Sequence, residues 1–194
     1  MNKVFFLTGP PLSGKDTQGK LLAKKIKGKF LVTHILIDRF FKKQRKGYLK
    51  IGKKNFSIKK EMEKRFKGGF YSPEIVGYVV SEKIKELIKK YNLVFSGSPR
   101  LIEEAKIEIK TLKELGIDFK VISLKVSEEE ILKRARKRRR EKEDDVEVVK
   151  KRIENYEKYV VPTLNFLKKR GFLIEIDGTG DVKEIHKKII ASLF

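Results

Sequence analysis

Short runs of apolar residues alternate along this chain with longer segments in which apolar residues recur every three or four positions. The short runs predict five buried strands, at residues 3–8, 30–33, 92–95, 119–124 and 172–176. In the segments between these runs, apolar residues recur at helical spacing, as in the series Val76, Val80 and Ile84. Strands that alternate with helices indicate a parallel sheet covered on both faces, so the pattern predicts the α/β class.

Two stretches depart from this alternation. Residues 42–67 are dense in lysine and are punctuated by glycine, and they predict an inserted subdomain at about 37–72. Residues 134–145, RARKRRREKEDD, form a charged run between two predicted helices. The second of these helices carries Arg152 and is expected to bend at Pro162. The remaining segments, 1–36, 73–133 and 146–194, predict a single core domain.

The charge of the chain is extreme, with a formal net charge of +22 and a pI near 10.0. Such a field concentrates anions, among them nucleotides, nucleic acid and acidic lipid. A thermophile's lysine- and glutamate-rich surface has a similar composition, so the charge leaves open whether nucleic acid is a partner.

Cysteine is absent, which excludes disulfides and thiolate metal sites. No segment approaches the roughly 20 apolar residues of a membrane helix, so we expect a cytoplasmic protein without membrane contact.

The first predicted strand leads into a glycine-bearing loop and then into a helix. Gly9, four further residues, Gly14 and Lys15 fit the frame of a P-loop, in which backbone N–H groups and a lysine hold nucleotide phosphates. The phosphate-binding loop predicted in this way consists of Gly9, Pro10, Pro11, Leu12, Ser13, Gly14, Lys15, Asp16 and Thr17. In the usual pattern a hydroxyl residue follows the lysine directly and contacts Mg²⁺, whereas here Asp16 comes before Thr17.

Several arginines are candidates for a second phosphate site. Arg100 follows the third predicted strand, and the carboxyl ends of parallel strands share one edge of the sheet, so Arg100 is expected to face the P-loop. Arg134 and Arg138 lie four residues apart on one helical face, and Arg152 is on the next helix. Converging arginines would stabilise the charge of a phosphoryl group in transfer. A solvated basic run and an RNA-binding helix are the alternatives.

These motifs resemble those of adenylate kinases and related nucleoside monophosphate kinases. GPPLSGKDTQ resembles the family's GPPGAGKGTQ, SGSPR resembles DGFPR, and RARKR and the EDD that follows resemble the segments around the lid. The resemblance implies a P-loop three-layer sandwich with a five-stranded parallel sheet, an insert that binds the monophosphate, and a short lid at about 134–145 without zinc ligands. It also implies ATP and Mg²⁺ as cofactors and reversible transfer of the γ-phosphoryl group.

The resemblance assigns roles to individual residues. Lys15 and the surrounding loop would hold the triphosphate, and Arg134 would lie against the ATP base. Gly97 and Arg100 would hold the monophosphate. Arg138 and Arg152 would bridge the transferring group.

The chain departs from the family at the metal site. The family's aspartate in DGFPR, which orders water on Mg²⁺, is Ser96 here, and the glycine after the P-loop lysine is Asp16. Our hypothesis is that the two changes compensate and that Asp16, with Thr17, anchors the metal. The alternative is that Asp16 merely caps the helix and the enzyme is weak or inactive.

The acceptor site departs from the family as well. Ile37 stands at a family threonine, and Lys42 stands at the arginine that would pair with Arg100. Glu104 replaces the glutamine that reads adenine, and a carboxylate that only accepts hydrogen bonds suits a base with N–H donors, such as guanine. A further lid arginine aligns with Lys142 or with Arg140, depending on the alignment.

The sequence therefore predicts a monomeric nucleoside monophosphate kinase that phosphorylates AMP or another nucleoside monophosphate. One alternative is a kinase for GMP or another non-adenine monophosphate. The other is a nucleic-acid-associated P-loop ATPase or binder with weak kinase activity, which the charge and Ser96 motivate but which we do not favour.

Overall fold

The five predicted strands form one parallel sheet in the computed structural model, which describes residues 2–138 and 145–194. The strands are β1 (Val4–Thr8), β2 (Lys29–Val32), β3 (Tyr48–Ile51), β4 (Lys54–Ser57), β5 (Leu93–Ser96), β6 (Phe119–Lys125) and β7 (Leu173–Asp177). The order in the main sheet is β2-β5-β1-β6-β7, while β3 and β4 form a separate antiparallel pair. The predicted α/β fold class is thereby confirmed, with strand ends shifted by at most one residue.

Helices cover both faces of this sheet. They are α1 (Lys15–Lys25), α2 (Thr33–Lys42), α3 (Ile58–Phe66), α4 (Pro73–Leu87), α5 (Ile102–Glu114), α6 (Glu128–Arg138), α7 (Val146–Asn155), α8 (Val161–Lys168) and α9 (Val182–Leu193). A π-helical turn, Tyr156–Val160, separates α7 from α8. Pro162 lies in the first turn of α8, directly after this π-helical turn.

The central strand shows how the layers are built. All five residues of β1 are buried, and successive side chains point to opposite faces. Phe5 and Leu7 join a core cluster with residues of α1 and α9, whereas Val4 and Phe6 join a larger cluster with residues of α2, α4, α5 and α8. The apolar run at 3–8 is therefore a strand buried on both sides, as a parallel sheet requires.

The register of the two central strands positions the site. Leu7 of β1 lies beside Ser96 of β5, so the loops that follow both strands leave the sheet at the same edge. Gly97 N donates to the Leu7 carbonyl at 3.0 Å, which extends the pairing by one residue. The P-loop and the segment with Arg100 are therefore neighbours because of strand register.

The lysine-rich stretch contains structure that the apolar pattern did not indicate. The β3–β4 hairpin turns through Gly52, whose φ is 56°, and α3 follows it directly. Leu49 of β3 is buried against the main core cluster. Residues 139–144 of the expected lid at 134–145, with the candidates Arg140 and Lys142, lie outside the described residues. Within the described ranges, no helix is both long and apolar enough to cross a membrane.

Candidate active site

The loop between β1 and α1 is shaped by two glycines in the left-handed region. Gly9 has a φ of 147°, and a Cβ there would lie 2.8 Å from Ser13 Oγ and 2.9 Å from the Leu124 carbonyl oxygen. Gly14 has a φ of 86° and is the N-cap of α1, where it offers no side-chain acceptor. The first N–H groups of α1 are thus left for an anion, as at other phosphate-binding helix termini.

Lys15 is the cation of this loop. Its Nζ donates a hydrogen bond to the Pro10 carbonyl oxygen at 3.2 Å, which folds the side chain back over the loop. Burial, and next the positive charge of Arg100, lower the pKa of Lys15 to about 8. A bound phosphate would reverse this shift, because a nearby negative charge favours the protonated amine.

A cavity of about 120 Å³ opens where the carboxyl ends of β1 and β5 meet. Lys15, Arg100 and Arg152 all line it, as do Gly9, Pro11 and Gly97. Gly97 has a φ of 88°, and a Cβ at this position would lie 2.9 Å from the Arg100 guanidinium. The structure thus brings the P-loop lysine and two of the predicted arginines to one cavity.

A second, smaller cavity lies towards α2 and the insert. Thr33, His34, Ile37, Tyr71, Val76 and Glu104 line it. Four residues, Arg65, Phe70, Gly97 and Arg100, line both cavities, so the two spaces adjoin at Arg100. Burial, and next the charge of Arg65, lower the pKa of His34, which favours a neutral imidazole at this wall.

Lys42, the predicted partner of Arg100, lies at the end of α2. Lys42 is exposed at the last position of α2 and lines neither cavity. Arg65, from the last turn of α3, reaches both cavities instead. Sequence reasoning missed Arg65 because it is one of many basic residues in a stretch without a recognisable motif.

Glu104 is buried in the wall of the second cavity, and its carboxylate oxygens already accept several hydrogen bonds. It accepts hydrogen bonds from the backbone N–H groups of Arg100, at 2.9 Å, and Leu101, at 3.0 Å, and from Ser98 Oγ at 3.2 Å. Ser98 Oγ also bonds Glu108, whose pKa is raised well above the usual value by burial and then by the charge of Glu104. Glu104 therefore fixes the backbone at Arg100. Its predicted contact with the base of the monophosphate depends on the remaining lone pair of its Oε1 atom.

Arg134 is held beside the P-loop by three acceptors. Its guanidinium donates to Glu130 Oε1 at 2.9 Å, to the Leu12 carbonyl at 3.2 Å and to the Gly178 carbonyl at 2.8 Å. Arg138 lies one turn further along α6 and is exposed, yet its charge lowers the pKa of Lys15, after the larger effects of burial, Arg100 and Arg152.

The two departures from the family's metal site are in contact. The Ser96 hydroxyl, at the end of β5, donates a hydrogen bond to the Asp16 carboxylate, in the first turn of α1. Asp16 and Thr17 are both exposed. Among the described residues no group of three or more His, Cys, Asp or Glu could hold a metal by itself. One carboxylate with nearby hydroxyls fits Mg²⁺, which binds proteins through one or two carboxylates, water and substrate phosphates.

The insert is docked against α7 and the π-helical turn. Asn155 Nδ2 donates to the Gly68 carbonyl oxygen at 3.2 Å, and the rings of Phe70 and Tyr159 meet edge to face with centroids 5.8 Å apart. The Arg100 guanidinium lies over the Phe70 ring, 5.5 Å from its centroid. These contacts close the main cavity on the insert side.

Comparison with known proteins identifies the family of this chain. A family model described as adenylate kinase matches residues 7–172. The adenylate kinase of Thermobifida fusca is 28% identical over 191 residues, which cover 96% of each chain. That of Leptospira biflexa is 28% identical over 197 residues and the full length of both chains. That of Parabacteroides distasonis is 29% identical over 193 residues, or 97% of this chain and 95% of the relative. Nothing in these comparisons favours the nucleic-acid-associated alternative.

Proposed function

The chain belongs to the adenylate kinase family and is a nucleoside monophosphate kinase; we propose that ATP lies with its phosphates on the loop from Gly9 to Thr17 and that the acceptor's phosphate lies at Arg100. The observation that supports this arrangement is the shared cavity of Lys15 and Arg100 at the edge of the central strands. Two nucleotides can meet there with their phosphates facing each other.

The transfer itself needs positioning and charge stabilisation more than covalent help from the protein. An oxygen of the acceptor's phosphate forms a bond to the γ-phosphorus, and the bond from that phosphorus to the β-phosphate oxygen breaks with its electron pair. Two diphosphates result. Lys15, Arg100 and Arg152 surround the space in which this exchange takes place, and Arg138 adds positive charge from the end of α6.

We assign the metal contact to Asp16, with Thr17 and Ser96 as hydroxyl neighbours. When bound, Mg²⁺ neutralises charge on the phosphates of ATP. The Ser96 hydroxyl donates to Asp16, which orients the carboxylate without removing its charge. The negative charge that the family places at the end of β5 is thus supplied here from α1.

Arg134 is assigned to the adenine of ATP. Its three hydrogen bonds engage N–H donors at the edge of the guanidinium, so a base would be held by stacking on a flat face of the group. Because one acceptor is the Leu12 carbonyl, the same side chain fixes the base subsite relative to the P-loop.

The docked insert has a part in the reaction because it excludes water. A phosphoryl group exposed to water would be hydrolysed instead of transferred, and closure of a site is the usual protection. The Asn155–Gly68 hydrogen bond and the Phe70–Tyr159 contact hold the insert over the cavity.

We further propose that the enzyme acts as a cytoplasmic monomer. Sedimentation tests the oligomeric state, and cell fractionation tests the location.

An acceptor screen tests the proposal directly. Diphosphate formation is measured as initial rates with AMP, GMP, CMP, UMP and the deoxynucleotides at matched concentrations, with and without Mg²⁺. We expect Mg²⁺-dependent transfer to at least one of them and equimolar formation of ADP and the acceptor's diphosphate. Glu104→Gln is expected to shift preference towards AMP, because an amide can both donate and accept. ATP hydrolysis without diphosphate formation from any acceptor would overturn the assignment.

A further inference from the structure

We propose that Arg65, carried by the insert, binds the phosphate of the acceptor nucleotide together with Arg100; the identity of this ligand rests on the proposed function. Arg65 lies in the last turn of α3 and is half-buried. It is one of the four residues that line both cavities, and Arg65 and Arg100 are the two cations among them. An anion at the junction of the cavities would therefore lie between two guanidinium groups.

The guanidinium of Arg65 has no partner within residues 2–138 and 145–194, where no hydrogen bond or ion pair engages it. The acid one helical turn earlier, Glu61, would be its ordinary partner. Glu61 is already committed, because it accepts from Lys64 Nζ at 2.6 Å, from Ser72 N at 2.7 Å and from Ser72 Oγ at 2.8 Å.

The acid on the far side of the cavity is also unavailable to Arg65. Glu104 is occupied by the backbone N–H groups of Arg100 and Leu101. A half-buried cation without a counter-charge is costly, and a second cation nearby raises that cost. Burial lowers the pKa of Arg100, Glu104 opposes that shift, and Arg65 adds to it, so the two guanidinium groups are close enough to repel.

A phosphate dianion removes this repulsion and satisfies both groups. Guanidinium presents N–H donors in a planar fork that matches two oxygens of a phosphate, so two arginines can hold one phosphate from different sides. Arg100 reaches it from the sheet and Arg65 from the insert. The second cation that the sequence places on α2, at Lys42, is therefore supplied by α3.

The test compares ligands that differ only in the phosphate. Binding of AMP against adenosine, and of GMP against guanosine, is measured by calorimetry for the wild type, Arg65→Ala, Arg65→Lys and the control Arg45→Ala. Arg45 is an exposed arginine of the same insert that lines neither cavity. Arg65→Ala is expected to lose roughly 10- to 100-fold in affinity for the monophosphate, from one charge-assisted hydrogen-bonded contact. Arg65→Lys should lose less, because it keeps the charge but not the fork.

Affinities for the nucleosides should stay within about twofold in every variant, because a nucleoside has no phosphate for Arg65 to bind. Monophosphate binding by Arg65→Ala at the level of Arg45→Ala would overturn the inference, as would an equal loss in Lys42→Ala. If the wild type forms no diphosphate but Arg65→Ala still loses phosphate-dependent binding, the kinase proposal fails and the role of Arg65 stands. If the wild type is active and Arg65→Ala binds normally, only the role of Arg65 fails.

Discussion

Replacing Asp16 tests whether its carboxylate has taken over the metal contact of the carboxylate that is missing at Ser96. Asp16→Gly restores the residue that the family has after the P-loop lysine, and Asp16→Asn removes the charge but keeps an oxygen that can accept from the Ser96 hydroxyl. The double variant Asp16→Gly with Ser96→Asp moves the carboxylate across the same hydrogen bond, from α1 to the end of β5.

Three contributions of Asp16 can be sized separately. A carboxylate in the first turn of α1 is worth about 0.3–1 kcal/mol against the helix dipole. The hydrogen bond from Ser96 to a charged acceptor is worth about 1.5–3 kcal/mol. Both of these act on folding stability. Loss of a group that holds or orients the metal instead costs roughly 10- to 100-fold in metal affinity or activity.

The assay is the initial rate of diphosphate formation against free Mg²⁺, with both nucleotides saturating. We expect Asp16→Gly and Asp16→Asn to raise the half-saturating Mg²⁺ concentration by roughly 10- to 100-fold. The double variant should recover most of this loss, because a carboxylate again faces the metal. Thermal melts of each variant separate the stability effects from the metal effect. The compensation hypothesis fails if Asp16→Gly keeps the Mg²⁺ dependence and the rate of the wild type, or if the double variant is no better than Asp16→Gly.

Three further predictions follow from other parts of the structure. The kcat/KM for ATP should fall above about pH 8, where Lys15 loses its proton, and any activity that remains in Lys15→Arg should not show this fall. A fall that persists in the arginine variant contradicts the assignment of Lys15 as the titrating group. Leu12 packs against apolar residues of α6 and α7, so Leu12→Ala should lower the free energy of unfolding, measured by denaturant titration, by about 1–2 kcal/mol. Because the φ of Leu12 is 58°, which strains a residue with a Cβ, Leu12→Gly should lose about 0.5 kcal/mol less, and a larger loss with glycine refutes this strain argument. Burial raises the pKa of Glu108, so its contribution to stability is present below about pH 4.5 and is lost as the pH rises through the raised pKa. The free energy of unfolding of Glu108→Gln should therefore gain on that of the wild type as the pH rises, whereas that of Glu103→Gln, at an exposed site, should run parallel to the wild type.

The main sheet and the phosphate loop could be predicted because their signals are local. A buried parallel strand is a continuous apolar run, and a P-loop is a fixed spacing of glycines and a lysine between such a strand and a helix. The neighbourhood of Lys15 and Arg100 also follows from the sequence, since both come directly after strands of one parallel sheet.

The insert could not be predicted in the same way. The core of the β3–β4 hairpin is shared with the main domain, so its short strands carry a weak alternation that lysines obscure. The position of Arg65 depends on how the insert is docked, and that is set by distant contacts such as the hydrogen bond from Asn155 to Gly68. The alignment that favoured Lys42 used residue spacing in α2 alone, and it carries no information on which residues of other elements line the cavities.

The placement of charge carries more functional information than the total of +22. Many lysines are exposed and pair with glutamates one turn away, as Lys85 with Glu82 and Lys106 with Glu103, and such pairs contribute little to stability. Lys15 and Arg100 differ, because burial lowers the pKa of each and other cations deepen the shift. A fold gains nothing from collecting positive charge in a partly buried cavity unless a ligand brings the negative charge. The mutual repulsion of these cations is therefore part of the site's affinity for phosphates, and it would be present whether or not the surface lysines were there.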